Sequence, residues 1–130
     1  TEGKDRAGFV SALLECFSGA SYEEVVADYM TTYENYYGVE KDSEKYTAIA
    51  GSNIIKTLET AFAVEDLETA DLQAEAEEYM RQIGLTDAQI GKLKENLGIP
   101  RKHDWIWPLI AVGALLILGA AVITVKRRRN

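Results

Sequence analysis

The chain has 130 residues, room for one small domain and an appendage, and its 47% apolar and 27% charged content is that of a folding chain, not a disordered one. Its formal charge of −7 is unevenly spread: all 21 acidic residues lie before Trp105, where ten basic residues leave a net −11, and the run Lys126 to Arg129 puts +4 behind them. The acidic body excludes nucleic-acid binding, the single Cys16 excludes a disulfide framework or a multi-cysteine metal site, and the single His103 leaves no histidine cluster for a metal or a hydrolase.

The opening run Thr1-Glu2-Gly3-Lys4-Asp5-Arg6-Ala7-Gly8 reads as a polar, glycine-containing loop leading into a helix. Backbone N–H groups of such a loop can converge on an anion, and the following helix N-terminus adds partial positive charge. Lys4 adds a point charge and Arg6 a planar fork for two phosphate oxygens. These residues fit a phosphate cradle; they also fit an ordinary polar lead into a helix.

Ala7 to Phe17 places Phe9, Val10, Leu13, Leu14 and Phe17 on one helical stripe, with Gly19 as its stop. Ser21 and Glu24 have capping-box spacing and open a second helix whose apolar face is Val25, Val26, Tyr29, Met30, Tyr33 and Tyr37, ended by Gly38. The pattern predicts a third helix from about Glu44 to Ala63, with Ile49, Ile54, Ile55, Leu58 and Phe62 inward and Gly51 as a weak point. A fourth is expected from about Asp66 to Ile83, carrying Leu72, Ala76, Tyr79, Met80 and Ile83, with Gly84 behind it. Thr86 and Gln89 form a second capping box for a short fifth helix bearing Ile90, Leu93 and Leu97, which Gly98-Ile99-Pro100 breaks.

No stretch alternates with period two, so residues 1–98 read as all-α, without repeats. The acidic run Glu65 to Glu78 reads as a solvated helix face, the tyrosines as packing residues, and Cys16, well inside the first helix, as a packed thiol.

After a linker, 99–104, the stretch Trp105 to Val125 runs 21 residues without a charge. At about 1.5 Å per residue a helix of that length spans a hydrocarbon core of roughly 30 Å. Trp105 and Trp107 suit the headgroup layer, Pro108 the first turn, and Gly113, Gly119 and Ala120 a helix-packing face. The tail, 126–130, stops the span with four basic residues, against Arg101 and Lys102 beside Asp104 on the near side. The bias predicts a single-pass protein with a cytoplasmic Lys126–Asn130 and an extracytoplasmic body. This end resembles the anchors of Gram-positive surface proteins that sortases process. Lys102 and His103 stand where that motif has Thr and Gly, so the expectation is a plain membrane anchor.

Gly3-Lys4-Asp5-Arg6-Ala7-Gly8 ahead of an apolar helix resembles the signature of the tyrosine phosphatase superfamily, a nucleophilic cysteine followed by five residues and an arginine. It is most similar to the bacterial and fungal branch whose loop reads Cys-x-x-Gly-Lys-Asp-Arg-Thr-Gly. Glu78-Tyr79-Met80 through Ile83-Gly84-Leu85, and Thr86 to Leu97, resemble that branch's C-terminal helices. The resemblance covers residues 1–98 and implies that this all-α stretch is the helical C-terminal part of an α/β phosphatase fold, followed by one transmembrane helix.

The resemblance further implies a two-step, cofactor-free and metal-free hydrolysis of a phosphotyrosine protein or a phospholipid through a phosphocysteine. Arg6 would stabilise the equatorial oxygens, Lys4 would assist phosphate binding, and Thr1, Glu2 and Gly3 would contribute backbone N–H groups. Asp5 would serve as general acid while also lying in the phosphate loop. The nucleophile would fall one residue before Thr1, outside this sequence, so the chain by itself is expected to be inactive. Ala7 replaces the branch's Thr or Ser, whose hydroxyl eases thiolate departure, so the second step is expected to be slow. The competing expectation is a non-enzymatic acidic helical module, held on one membrane helix and drawn to basic partners.

Overall fold

A computed structural model describes residues 2–100 of the protein, with side chains from Asp5 onward. Thr1, the span 105–125, the tail 126–130 and residues 101–104 of the linker lie outside the described residues. The chain divides into two units, Thr1–Leu97 and Gly98–Asn130, and all described helices belong to the first. They are α1 (Glu2–Ser18), α2 (Tyr22–Tyr37), α3 (Glu44–Ala50), a π turn (Gly51–Ile55), α4 (Lys56–Phe62), α5 (Leu72–Gln82) and α6 (Asp87–Asn96). Among the described residues there is no strand, and no helix is long and apolar enough to cross a membrane.

The ends of the helices follow their side chains. Ser21 Oγ accepts from the Glu24 N–H at 3.3 Å while Glu24 Oε2 accepts from the Ser21 N–H at 2.8 Å, a reciprocal capping box that opens α2. Thr86 and Gln89 repeat the arrangement at α6. Gly19 and Gly38 follow α1 and α2 with φ of 92° and 58°, the left-handed conformation that a side chain disfavours. Past Gly38, the Val39 N–H donates to the Tyr33 carbonyl at 3.2 Å, and Val39 turns inward beside Met30, Tyr46 and Ala50.

Three boundaries differ from the sequence expectation. α1 begins at Glu2, not Ala7, so the expected loop is helical. Glu, Lys, Arg and Ala are strong helix formers, Glu2 lies at the end of the helix that favours negative charge, and Glu2 and Arg6 have the spacing of an attractive pair. The expected third helix carries a π turn where Gly51, Ser52 and Asn53, all weak helix formers, come together. The fourth starts at Leu72, not Asp66. Asp66 Oδ1 accepts from the Glu68 N–H at 3.0 Å, a local turn that competes with helix, and Asp71 then caps α5 by accepting from the Ala74 N–H. Leu67 anchors that turn, 1% exposed.

α1 is the hub, packed most extensively on α5 and also on α2 and α4. Its buried stripe is Ala12, Leu13, Cys16 and Phe17, joined by Val25, Met30, Ile54, Leu58, Phe62, Leu72, Ala76, Met80 and Ile90 from the other helices. Val10, expected inside, is 53% exposed, because it lies about a quarter turn off that stripe. Tyr37, Ile83 and Leu97 are also exposed; each sits at a helix end, where the apolar face runs past its neighbours. α6 is clamped to α5 by Glu77, which meets both Arg81 and Lys94. Burial pushes the Glu77 carboxyl up, but the two cations more than offset it and hold it below the usual range.

Candidate functional site

The residues expected to grip phosphate occupy the first two turns of α1. Thr1 lies outside the described residues, and of Glu2, Gly3 and Lys4 only the helical backbone is described. Asp5 and Arg6 are exposed, on adjacent positions that point about 100° apart. The N–H groups of the first turn have no intrahelical carbonyl to bind, whereas those from Arg6 onward lie within the helix. As a helix, then, this segment offers an anion its first-turn N–H groups, the favourable end of the helix dipole and the Arg6 fork.

Behind that turn α1 meets α2. A Cβ on Gly8 would stand 2.8 Å from Tyr29 Cε2 and 3.1 Å from Cδ2, so the Tyr29 ring fills the place a side chain would take. Tyr29 packs against Tyr33 with ring centroids 5.8 Å apart, and the Tyr33 hydroxyl accepts from Asn53 Nδ2 of the π turn at 3.0 Å. The Tyr29 phenol is pushed well up, first by burial, then by its hydrogen bond with Tyr33; the Asp5 carboxylate pushes the same way and Asn53 the opposite way. On its other flank α1 sets Phe9 edge-on against Tyr79, centroids 5.8 Å apart.

Between α1 and α2 lies a cavity of about 380 Å³, lined by Gly8, Ser11, Glu15, Asp28, Tyr29 and Tyr33 among others. Burial pushes the Glu15 carboxyl up and the neighbouring Asp28 adds to it, while the Ser11 hydroxyl, donating at 3.0 Å, acts the other way. Reading the sequence passed over Tyr29 and Asn53 as site neighbours. The available signal was Gly8, a glycine inside a helix with no turn to make.

Cys16 lies ten residues beyond Arg6 on the same helix, about 15 Å along its axis. It is fully buried, and burial, aided by Glu15, raises its thiol to about 11. A thiol in that state is inert as a nucleophile, as expected for a packed residue. The described arrangement therefore places an exposed carboxyl at Asp5 and an exposed guanidinium at Arg6 beside a helix N-terminus, and no reactive thiol lies near them among the described residues.

No curated protein and no solved structure matches the chain. A family model described as tyrosine phosphatase family matches residues 1–98, which run from the first residue of the candidate site to the end of the described helices. On that match the chain belongs to the tyrosine phosphatase family.

Proposed function

We propose that the chain is the C-terminal part of a membrane-anchored protein tyrosine phosphatase of the bacterial and fungal branch, with its nucleophilic cysteine just ahead of Thr1. The observation that carries this reading is the run Gly3-Lys4-Asp5-Arg6-Ala7-Gly8 at the head of the matched region, with Asp5 and Arg6 exposed. In the complete enzyme a cysteine thiolate attacks phosphorus, the bond to the leaving oxygen breaks, and Asp5 passes its proton to that oxygen. Water then attacks the phosphocysteine, releasing inorganic phosphate and the thiolate. Arg6, Lys4 and the N–H groups of the opening residues stabilise the charge that builds on the equatorial oxygens. Opening the first turn of α1 into a loop brings more of those N–H groups to the anion, and Gly3 eases this, since glycine costs about 1 kcal/mol relative to alanine inside a helix. Ala7 has no hydroxyl to assist thiolate departure, so breakdown of the phosphocysteine limits the rate.

The substrate is a phosphotyrosine protein or a phospholipid. Residues 105–125 anchor the enzyme, with the body outside and Lys126–Asn130 in the cytoplasm. The 130-residue chain by itself does not turn over, because its only thiol is the buried Cys16. Hydrolysis of a chromogenic aryl phosphate tests both halves of this reading. The chain alone is expected to match a blank; the gene is expected to encode His-Cys or a similar ending directly before Thr1, and the longer product to hydrolyse the ester and lose that activity on Arg6→Ala. Turnover by the chain alone that is lost on Arg6→Ala overturns its inactivity. A start codon or unrelated residues before Thr1 overturn the placement of the nucleophile.

A second reading, an acidic helical interaction module on a membrane anchor, is favoured by one observation: the helices close on a core of their own, with Phe17, Met30, Leu58 and Ala76 fully buried. A cooperative thermal melt of the chain, followed by circular dichroism, together with no esterase activity in the longer gene product, selects it.

A further inference from the structure

We propose that Tyr29 is a positioning residue for the Asp5–Arg6 turn, acting through Gly8; the inference deepens the phosphatase reading and rests on it. Gly8 has ordinary helical backbone angles, so it is not there to supply a positive φ. A glycine inside a helix is less favourable than alanine, and that cost needs a reason in packing. The reason is the Tyr29 ring, whose edge carbons lie 2.8 and 3.1 Å from where a Cβ would be.

The ring is itself held from behind. Tyr33 stacks one turn further along α2, its centroid 5.8 Å from that of Tyr29, and Asn53 of the π turn donates to the Tyr33 hydroxyl at 3.0 Å. A π turn rotates the residues it contains relative to an unbroken helix, and such turns are frequent at functional sites. Here it carries the side chain that fixes the far end of the brace. The line Asn53–Tyr33–Tyr29–Gly8 thus ties three elements together and ends two residues past Arg6. Asp5, Arg6 and Ala7 lie at the surface directly ahead of Gly8, and the seat of the ring on Gly8 is the packing contact that sets how this turn leaves the body. A guanidinium must meet phosphate oxygens within a few tenths of an ångström, which is the service such a brace provides.

Amide hydrogen exchange on the full 130-residue chain tests this, read at Ala7–Val10 against Leu72–Gln82 in the same sample. Tyr29→Leu is expected to speed exchange at Ala7–Val10 by about tenfold and leave α5 unchanged. Tyr29→Phe keeps the ring on Gly8 and is expected to restore wild-type protection, which a bulk loss of packing does not predict. Gly8→Ala, which displaces the ring, is expected to loosen the same segment. Combined with Tyr29→Leu it should add no further loosening and recover part of the protection, since the methyl then has no ring to meet and alanine is the better helix former. Unchanged exchange at Ala7–Val10 in Tyr29→Leu, an equal rise in α5, or additive effects of the two substitutions each overturn the proposal. Exchange is read whether or not the gene product hydrolyses an ester, so failure of the phosphatase reading shows in the esterase assay and failure of the brace shows here.

Discussion

Along α1 two halves of one helix do different work. From Asp5 to Val10 the side chains of Asp5, Arg6, Ala7 and Val10 are exposed, while Gly8 and Phe9 pack on the rings of Tyr29 and Tyr79. From Ala12 to Phe17 the helix turns Ala12, Leu13, Cys16 and Phe17 into the core, against α2, α4 and α5. The second half is held by burial and would hold with any polar head in front of it. The first half is helical by propensity and is packed through two ring contacts, with its charged side chains at the surface. The same contrast explains why proximity in sequence does not make Cys16 a nucleophile: burial that stabilises the fold also keeps the thiol protonated.

The sharpest break of this contrast is Phe17→Ala. Phe17 is 0% exposed, its carbonyl accepts from Gln73 Nε2 at 3.1 Å, and Lys94 Nζ sits 5.8 Å from the ring centroid. Removing the ring should cost about 3–5 kcal/mol, a large share of the stability of a domain this size. Urea unfolding followed by circular dichroism measures it; a loss below about 1 kcal/mol would mean that the second half of α1 is not the anchor.

Cys16 gives a smaller effect and a second readout. Cys16→Ser places a hydroxyl where a thiol of 0% exposure sits, at an expected cost of about 1–3 kcal/mol. In the unmodified chain the thiol should stay unreactive toward a disulfide reagent until urea unfolds the protein. Rapid labelling under native conditions contradicts the buried assignment.

These two residues also mark what the amino-acid pattern discloses. The stripe that carries Leu13 and Phe17 is legible because helical spacing repeats it, and the capping boxes at Ser21 and Thr86 are legible because three-residue spacing is local. Gly19, Gly38 and Gly84 are likewise read correctly as stops, each with positive φ. Less legible is whatever depends on a partner distant in sequence. Leu67 and Val39 are buried by tertiary contacts outside any helix, and Val10 is exposed because α5 and α2 grip a stripe centred elsewhere on α1. The helical start at Glu2 was hidden because a polar opening run with glycines at Gly3 and Gly8 reads as loop. The Tyr29–Tyr33–Asn53 line requires knowing that the π turn faces α2, which no periodicity encodes.

The seam between the two halves supplies a pH-dependent test. Glu15 has its carboxyl raised by burial and by Asp28, so its ionised form is disfavoured in the fold. A group with a raised folded value lends stability below its unfolded value, near 4.3, and that stability is lost as pH rises through the folded value. Glu15→Gln should therefore stabilise the chain modestly at pH 7, and the gain should fade as pH falls through the folded value and be gone near the unfolded one. Melting temperatures of both chains across pH 4 to 7 give the comparison; a gain that grows toward acid pH reverses the sign and removes the argument.

The smallest expected change in stability is at the end proposed to carry the chemistry. Arg6 is exposed on the first half of α1, and truncating an exposed side chain away from the core shifts stability by about 0.5 kcal/mol or less. Arg6→Ala should thus unfold at nearly the same urea concentration as the unmodified chain, while Phe17→Ala, eleven residues on in the same helix, unfolds far earlier. On the proposed phosphatase reading the order of effects inverts in a product that carries the nucleophile: there the guanidinium would meet phosphate in the transition state, and its loss should lower hydrolysis by about a hundredfold or more with the fold intact. If Arg6→Ala instead destabilises the chain as strongly as a core truncation, the arginine is a packing residue and the division of α1 into a structural and a chemical half fails.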